Sequence, residues 1–205
     1  MQAAPVLQWQ GLPGIADTRL LPGLSLLLDE EDALNPQLVA YLGGHALLPA
    51  GACLQCAGLP STSAVYAQGR FWHQSAVNAA MAQQPINTWL AAQQNRWPQW
   101  DAALWSQHSQ GFALEPHLGK NLHQLSTGTL RKLWLAAALV SGASLILLDQ
   151  PEAGLDISSE RYLAQALNQW ADAAAQATQP RWLLVLHFAD LVGVQWDEVV
   201  EVEAV

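Results

Sequence analysis

Between Leu125 and Asp156 the chain runs LSTGTLRK, then the helix-like apolar run LWLAAALVSGA, then SLILLDQPEAGLD. No other stretch limits the possible folds so strongly. Ser126 is suited to be an N-cap and Gly128 leaves the backbone bare. Thr127 to Arg131 therefore presents amide and hydroxyl groups at a helix N-terminus, a place suited to an anion. Leu145 to Leu148 is an unbroken apolar run, the pattern of a strand buried on both faces of a parallel sheet. Asp149 stands at that strand's C-terminal end, where open α/β sheets place their ligands. Pro151 and Gly154 then break the chain into a loop that ends at Asp156.

Composition narrows the setting. A chain of 205 residues is one domain of ordinary size, long enough to bury a core. With 51% hydrophobic and 12% charged residues it is not a disordered segment. A net charge of −9 and only eight scattered Lys and Arg argue against nucleic acid as partner. No apolar stretch reaches the eighteen or so residues of a membrane span, and the N-terminus lacks a basic signal-peptide start, so a cytoplasmic location is expected. Cys53 and Cys56 form one CLQC in a strand-like run, without the second pair that a zinc site needs, and read as buried or half-buried thiols. Ten Trp is unusual at this length, and Trp72, Trp89, Trp97, Trp100 and Trp105 imply a tightly packed subdomain or a partner-facing surface.

In chain order, Val6 to Gln10 alternates as a strand and GLPGIADT reads as a turn. PGLSLLLDEED (22–32) is a second strand ending in an acidic run, followed by Asn35, Pro36 and the helical pattern QLVAYLGG. LLPAGACLQCAG reads as a strand pair, and AVYAQGRFWHQ (64–74) as a further strand. Ser75 to Leu122 has helical spacing divided by Pro85, Pro98 and Pro116. His108, His117 and His123 lack metal-ligand spacing and read as structural or solvated. Ser158 to Ala177 is helical, with Leu163, Ala164, Leu167 and Trp170 on one face. Trp182 to Leu186 is a last apolar strand ending at His187, and the acidic tail Val199 to Val205 could add an edge strand.

This order of motifs resembles the ATP-binding cassette (ABC) family of ATPases. LSTGTLR resembles the family signature LSxGxxR, the strand ending in Asp149 resembles Walker B, and GLD up to Asp156 resembles the D-loop. LLPAGACLQCAG is similar to the family's pxxGxixlxG strand pair. The resemblance implies a P-loop NTPase-like α/β fold: a mostly parallel sheet between helices, a β-rich N-terminal part and an inserted helical subdomain. Residues 1–74 and 136–205 would form the α/β core, and 75–135 the subdomain carrying the signature. It also implies a Q-loop glutamine at Gln74, with Gln68 the second choice, and a switch histidine at His187.

Two departures bear on activity. The phosphate loop, GxxGxGK followed by Ser or Thr, should fall at about Asp29 to Gln37. Its glycines turn backbone N–H groups around phosphate, its Lys reaches the phosphates and its hydroxyl holds Mg²⁺. The chain instead has Asp29, Glu30, Glu31 and Asp32, then Asn35 and Pro36 at the approximate places of the Lys and the hydroxyl residue. Asn then Pro suits the N-cap and first position of a helix, and the carboxylates suit the positive end of its dipole. Like charges about 4 Å apart repel by roughly 4 kcal/mol at an effective dielectric of about 20, so several carboxylates facing a triphosphate outweigh the remaining contacts. A divalent cation bound by the acidic run is the alternative reading, a solvated charge run the usual one. The second departure is Gln150, where the family has a catalytic Glu; an amide orients water but takes no proton from it. Glu152 as a substitute base would stand in the loop beyond that position.

Family cassettes dimerise head to tail, each ATP lying between Walker A of one subunit and the signature of the other. Ser126, Thr127 and Gly128 could therefore complete a site whose Walker motifs come from another chain, with Asp149 placed for Mg²⁺ if nucleotide binds and Asp156 coupling the halves. The expectation is a degenerate cassette subunit that binds no ATP alone. It would act as structural or regulatory partner of an active ABC-type ATPase subunit, with ATP and Mg²⁺ only at a shared dimer site. A membrane permease is a further partner the resemblance implies, with the chain then peripheral at the inner face of the membrane. An active ATPase with an atypical loop, and an interaction module with relict motifs, stay open beside it.

Overall fold

The residues described in this computed structural model are 5–13, 15–29, 35–43, 46–60, 70–72 and 79–201; for 35–37, 70–72, 79 and 80 the description is of backbone alone. Alternation in the first segment decides its pairing. In β1 (Leu7–Gln10) Leu7 and Trp9 are buried while the residues between and after them are more open, so one face lies on the core. It pairs antiparallel with β2 (Thr18–Leu20), Leu7 opposite Leu20. The unbroken apolar strand β3 (Gly23–Leu28) belongs to the other sheet. Helix α1 (Asn35–Gly43) follows and buries Leu38, Val39 and Leu42. Strand β4 (Cys53–Cys56) returns to β1 with Trp9 opposite Leu54, then turns through Ala57 and Gly58, both at positive φ, into the short β5 (Leu59–Pro60). The small sheet is thus antiparallel, in the order β2-β1-β4-β5.

The parallel sheet adds β6 (Arg70–Trp72), β7 (Leu145–Asp149), β8 (Trp182–His187) and β9 (Glu198–Glu201), in the order β6-β7-β8-β3-β9. Its central strands are buried on both sides, which is why their sequences do not alternate in polarity. Their side chains still divide with period two. Leu26, Ile146, Leu148, Leu183 and Val185 face one apolar cluster, while Leu27, Leu145, Leu147, Leu184 and Leu186 face the other, shared with α1 and the antiparallel sheet. Each fully buried leucine contributes roughly 2 kcal/mol. The edge strand expected of the acidic tail is β9, with Leu26 opposite Val199, beginning one residue earlier than anticipated; residues 202–205 lie outside the described ones.

Helices occupy the region between the strands, as proline placement foretold. Short α2 (Ala79–Ala82) precedes Pro85, the N-cap of α3 (Ile86–Arg96). Pro98 lies between α3 and α4 (Ala102–Gly111), which Asp101 caps by accepting from the Leu104 N–H at 2.8 Å. Pro116 stands in a 3₁₀ turn at Glu115–His117, and a second such turn, Leu122–Gln124, leads into α5 (Thr127–Val140). Helix α6 (Ile157–Ala175) joins β7 to β8. The tryptophans serve packing: Trp89, Trp97, Trp105 and Trp134 are buried, and the Trp89 and Trp134 rings meet edge to face at 4.3 Å. Trp100 is half-buried, and the Trp72 side chain lies outside the description.

Among the described residues no helix is long and apolar enough to cross a membrane. Cys53 is half-buried and Cys56 buried, both as free thiols in β4, and burial pushes the Cys56 thiol up to about 12. His108 is buried against Tyr162, His117 contacts Lys120, and His123 meets the carbonyl oxygen of Ala82.

Candidate functional site

The parallel register fixes what meets at the carboxyl edge of the sheet. Asp149 ends β7 opposite Leu186, and His187 ends β8 opposite Leu28. Asp29, one residue beyond β3, donates its N–H to the His187 carbonyl oxygen at 3.0 Å. Asp29, Asp149 and His187 thus share one edge, at the position the sequence assigned to a ligand. Asp29 and His187 are both buried, at 4% and 2% exposure, so the first acidic residue of the run is a core group and not a solvated one.

His187 is held from several directions. Its Nδ1 lies 3.0 Å from the Ala189 amide nitrogen and 2.8 Å from that residue's carbonyl oxygen. Its Nε2 faces Glu152 Oε1 at 3.5 Å. Phe188 stacks on the imidazole at 4.4 Å between centroids. The Glu152 contact escaped sequence reasoning, because it depends on how the 150–156 loop folds back over β8.

Gln150 occupies a strained turn. Its φ is +41°, uncommon outside glycine. Three backbone contacts hold it: its N–H donates to the Leu186 carbonyl at 2.9 Å, and its own carbonyl accepts from the Ala153 N–H at 3.1 Å and from Arg131 Nη1. Arg131, the last residue of the signature pattern, is therefore tied to the residue after Asp149. Burial lowers its pKa, and the nearby Asp149 charge opposes that shift. Sequence reasoning gave Arg131 no partner.

Ser126 caps α5 as expected, its Oγ accepting from the Thr129 N–H at 3.1 Å and meeting Thr129 Oγ1 at 2.8 Å. Ser126 and Thr127 are exposed. Gly128 packs under the loop after β7: a Cβ placed on it would come within 2.5 Å of the Gly154 carbonyl oxygen. Asp156 caps α6 by accepting from the Ser159 N–H at 2.9 Å and from the Ser158 hydroxyl, and it pairs with Lys132 of α5 at 2.5 Å. These donors, Lys132 foremost, hold its carboxyl well below the usual range. Gly128, Arg131 and Lys132 thus fasten the signature helix to the 150–156 loop of the same chain.

The remaining candidates fall elsewhere. Asp32, Gln74 and Gln68 lie outside the described residues. Asn35 is the first residue of α1 and Pro36 the second, one place further into the helix than the N-cap and first position expected, and proline is tolerated there. Of the stretch 29–37, where the resemblance places the phosphate loop, the described residues are Asp29, a buried carboxylate, and the first turn of α1 from Asn35; residues 30–34 lie outside them. Asp149 is the carboxylate that the resemblance places for Mg²⁺; no group of three or more His, Cys, Asp or Glu arranged for a metal occurs among the described residues.

No model of a known protein family matches the chain. Over 67 residues it is 40% identical to the ABC transporter ATP-binding protein ModF of Escherichia coli, a match taking in 33% of this chain and 14% of that protein. Over 92 residues it is 35% identical to the zinc import ATP-binding protein ZnuC of Haemophilus ducreyi, taking in 43% of this chain and 32% of the relative. The matches therefore span less than a third of either relative. In structure, the chain superposes on an ABC transporter ATP-binding protein from Pyrococcus furiosus with a TM-score of 0.75 over 98% of this chain and 100% of that one, at 14% identity. Such a likeness shows the fold, a mixed α/β domain with a parallel sheet and helices. Taken with the matched sequence segments, it gives the chain the fold of ABC ATPase nucleotide-binding domains, with stretches of its sequence similar to ABC ATP-binding proteins.

Proposed function

We propose that the chain is a degenerate ABC-type subunit that neither binds nor hydrolyses ATP alone, and that it offers its signature to an active cassette in a transporter-type complex. The observation that carries this reading is Gln150 in the turn directly after Asp149, backbone-bonded to Leu186 and Arg131. An amide there has no basic lone pair to receive a proton from water. The buried carboxylate of Asp29 at the start of the loop works against phosphate from the other side. Ser126 and Thr127, exposed at the N-terminus of α5, are the groups left to meet a partner's nucleotide. ATP and Mg²⁺ then belong to a shared interface, with Asp149 and Asp156 contributing from this side. The names of ModF and ZnuC support a transport setting; in that setting the partners are another ABC-type ATPase subunit and a membrane permease, and the location is cytoplasmic and membrane-peripheral.

A second reading has its own support. Ser126 caps α5 and Gly128 makes room for Gly154, so two signature residues have packing roles within the chain. In that reading the chain is an interaction module whose signature is retained for structure.

Calorimetric titration of Mg·ATP into the purified chain tests the first part; no binding tighter than about 0.1 mM, some −5 to −6 kcal/mol, is expected. Thr127→Ala, which disturbs neither cap nor glycine contact, separates the two readings. A lowered ATPase rate of the partner cassette supports the shared site, and an unchanged rate supports the module.

A further inference from the structure

A cavity of about 540 Å³ opens at the other end of the parallel sheet, where β7 and β8 begin. It is bounded by Trp97 and Pro98 after α3, by Cys56 at the end of β4, and by Pro180, Arg181 and Trp182 at the entry to β8. That volume falls in the range of sites that enclose small organic molecules. The walls are mainly apolar, and Arg181 is their one cation.

Arg181 is oriented but not neutralised. Its Nε donates to the Ala143 carbonyl at 3.3 Å, and the guanidinium carbon lies 5.1 Å from the centroid of the Trp170 ring. Its two terminal nitrogens meet no acceptor among the described residues. The ion pairs there are Lys132 with Asp156 and His187 with Glu152. Burial lowers the guanidinium pKa with no carboxylate opposing it, in a chain of net charge −9 where acids are plentiful. A half-buried cation without a counter-ion is costly, and a bound anion removes that cost. The planar guanidinium fits a carboxylate in two-point contact. The Cys56 thiol stays protonated at neutral pH, so it offers contact and no covalent chemistry.

We infer that this cavity binds a small amphiphilic carboxylate, its apolar body against Trp97, Pro98 and Trp182 and its carboxylate on Arg181. The site lies away from Asp149 and His187 and does not depend on the reading of the nucleotide motifs.

Titration calorimetry with naphthylacetate and its uncharged amide tests the assignment on the unaltered chain. The acid should bind one to one and at least about tenfold tighter than the amide, the range of a charge-assisted contact. Arg181→Gln should erase that preference and Arg181→Lys should keep part of it. Should Arg181→Gln fail to fold, Leu59→Trp, a bulky change at the cavity rim, should weaken both probes together. Absence of binding, equal binding of acid and amide, a preference untouched by Arg181→Gln, or binding of both probes untouched by Leu59→Trp would overturn the inference.

Discussion

An added Cβ on Gly128 would stand 2.5 Å from the carbonyl oxygen of Gly154, so the signature helix α5 and the loop after β7 touch through two glycines. Two opposing terms decide what Gly128→Ala does. Alanine favours a helix over glycine by about 1 kcal/mol. A methyl group driven into a backbone carbonyl costs about 1–3 kcal/mol, because the oxygen cannot rotate aside. The clash should win. Denaturant unfolding is expected to show a net loss of about 1 kcal/mol; a rise in stability would mean that the helix and loop separate freely.

Asp156 has two structural roles that substitution can divide. Asparagine caps helices about as well as aspartate, so Asp156→Asn removes chiefly the Lys132 pair, an exposed contact worth at most about 1 kcal/mol. Asp156→Ala loses the cap as well and should cost about 1 kcal/mol more. The pH dependence has a definite sign. A carboxyl held below its unfolded value stabilises the fold above that value, near pH 4, and the contribution is lost as pH falls toward the folded value. Melting scans from pH 5 down to pH 2 should therefore show the native chain losing its advantage over Asp156→Ala.

His108 gives a pH response of a different origin. The Tyr162 hydroxyl donates to the Gln107 carbonyl at 3.2 Å, leaving its oxygen to accept from His108 Nδ1 at 2.9 Å. Burial lowers the imidazole from 6.5 to about 4, with the charge of Asp101 opposing. Between those values the unfolded chain takes up a proton that the folded chain refuses. Stability is complete above pH 6.5 and declines as pH falls through this window, by roughly 3 kcal/mol in all. His108→Gln should be less stable at pH 7 and flatter between pH 7 and pH 4. Equal slopes would place the proton elsewhere.

The strands of the parallel sheet were legible because being buried on both faces demands unbroken apolar runs, and LSLLL, LILL and WLLVL contain little else. The helix breaks at Pro85, Pro98 and Pro116 followed from proline's missing N–H. Asp149 and His187 were legible as strand ends, since register alone carries them to one edge. The pairings across that edge were not. Glu152 meets His187, and Arg131 meets Gln150, only because a loop with Gln150 at positive φ turns back between two strands. Likewise the acidic run gave no sign that Asp29 is buried: its neighbours in sequence are acids, but its neighbours in space are the ends of β3 and β8.

Gln150→Glu puts a carboxylate where a general base stands in working cassettes, and the proposed function fixes what it should do. The new charge would join Asp149 beside it and Glu152 two residues on, at an edge where Asp29 is already buried. A base helps only when a bound phosphate presents water for it to deprotonate. Residues 29–37 contain no Lys, Ser or Thr, so under the proposed function the isolated variant should still hydrolyse no ATP above background. Steady-state phosphate release checks this. Turnover approaching about 1 s⁻¹, the low end of ordinary enzymes, would show that the loop binds nucleotide after all and that Gln150 alone silences the chain. Unchanged silence in a variant that still melts as the native chain does would agree with the proposed function, in which the stretch 29–37 holds no phosphate.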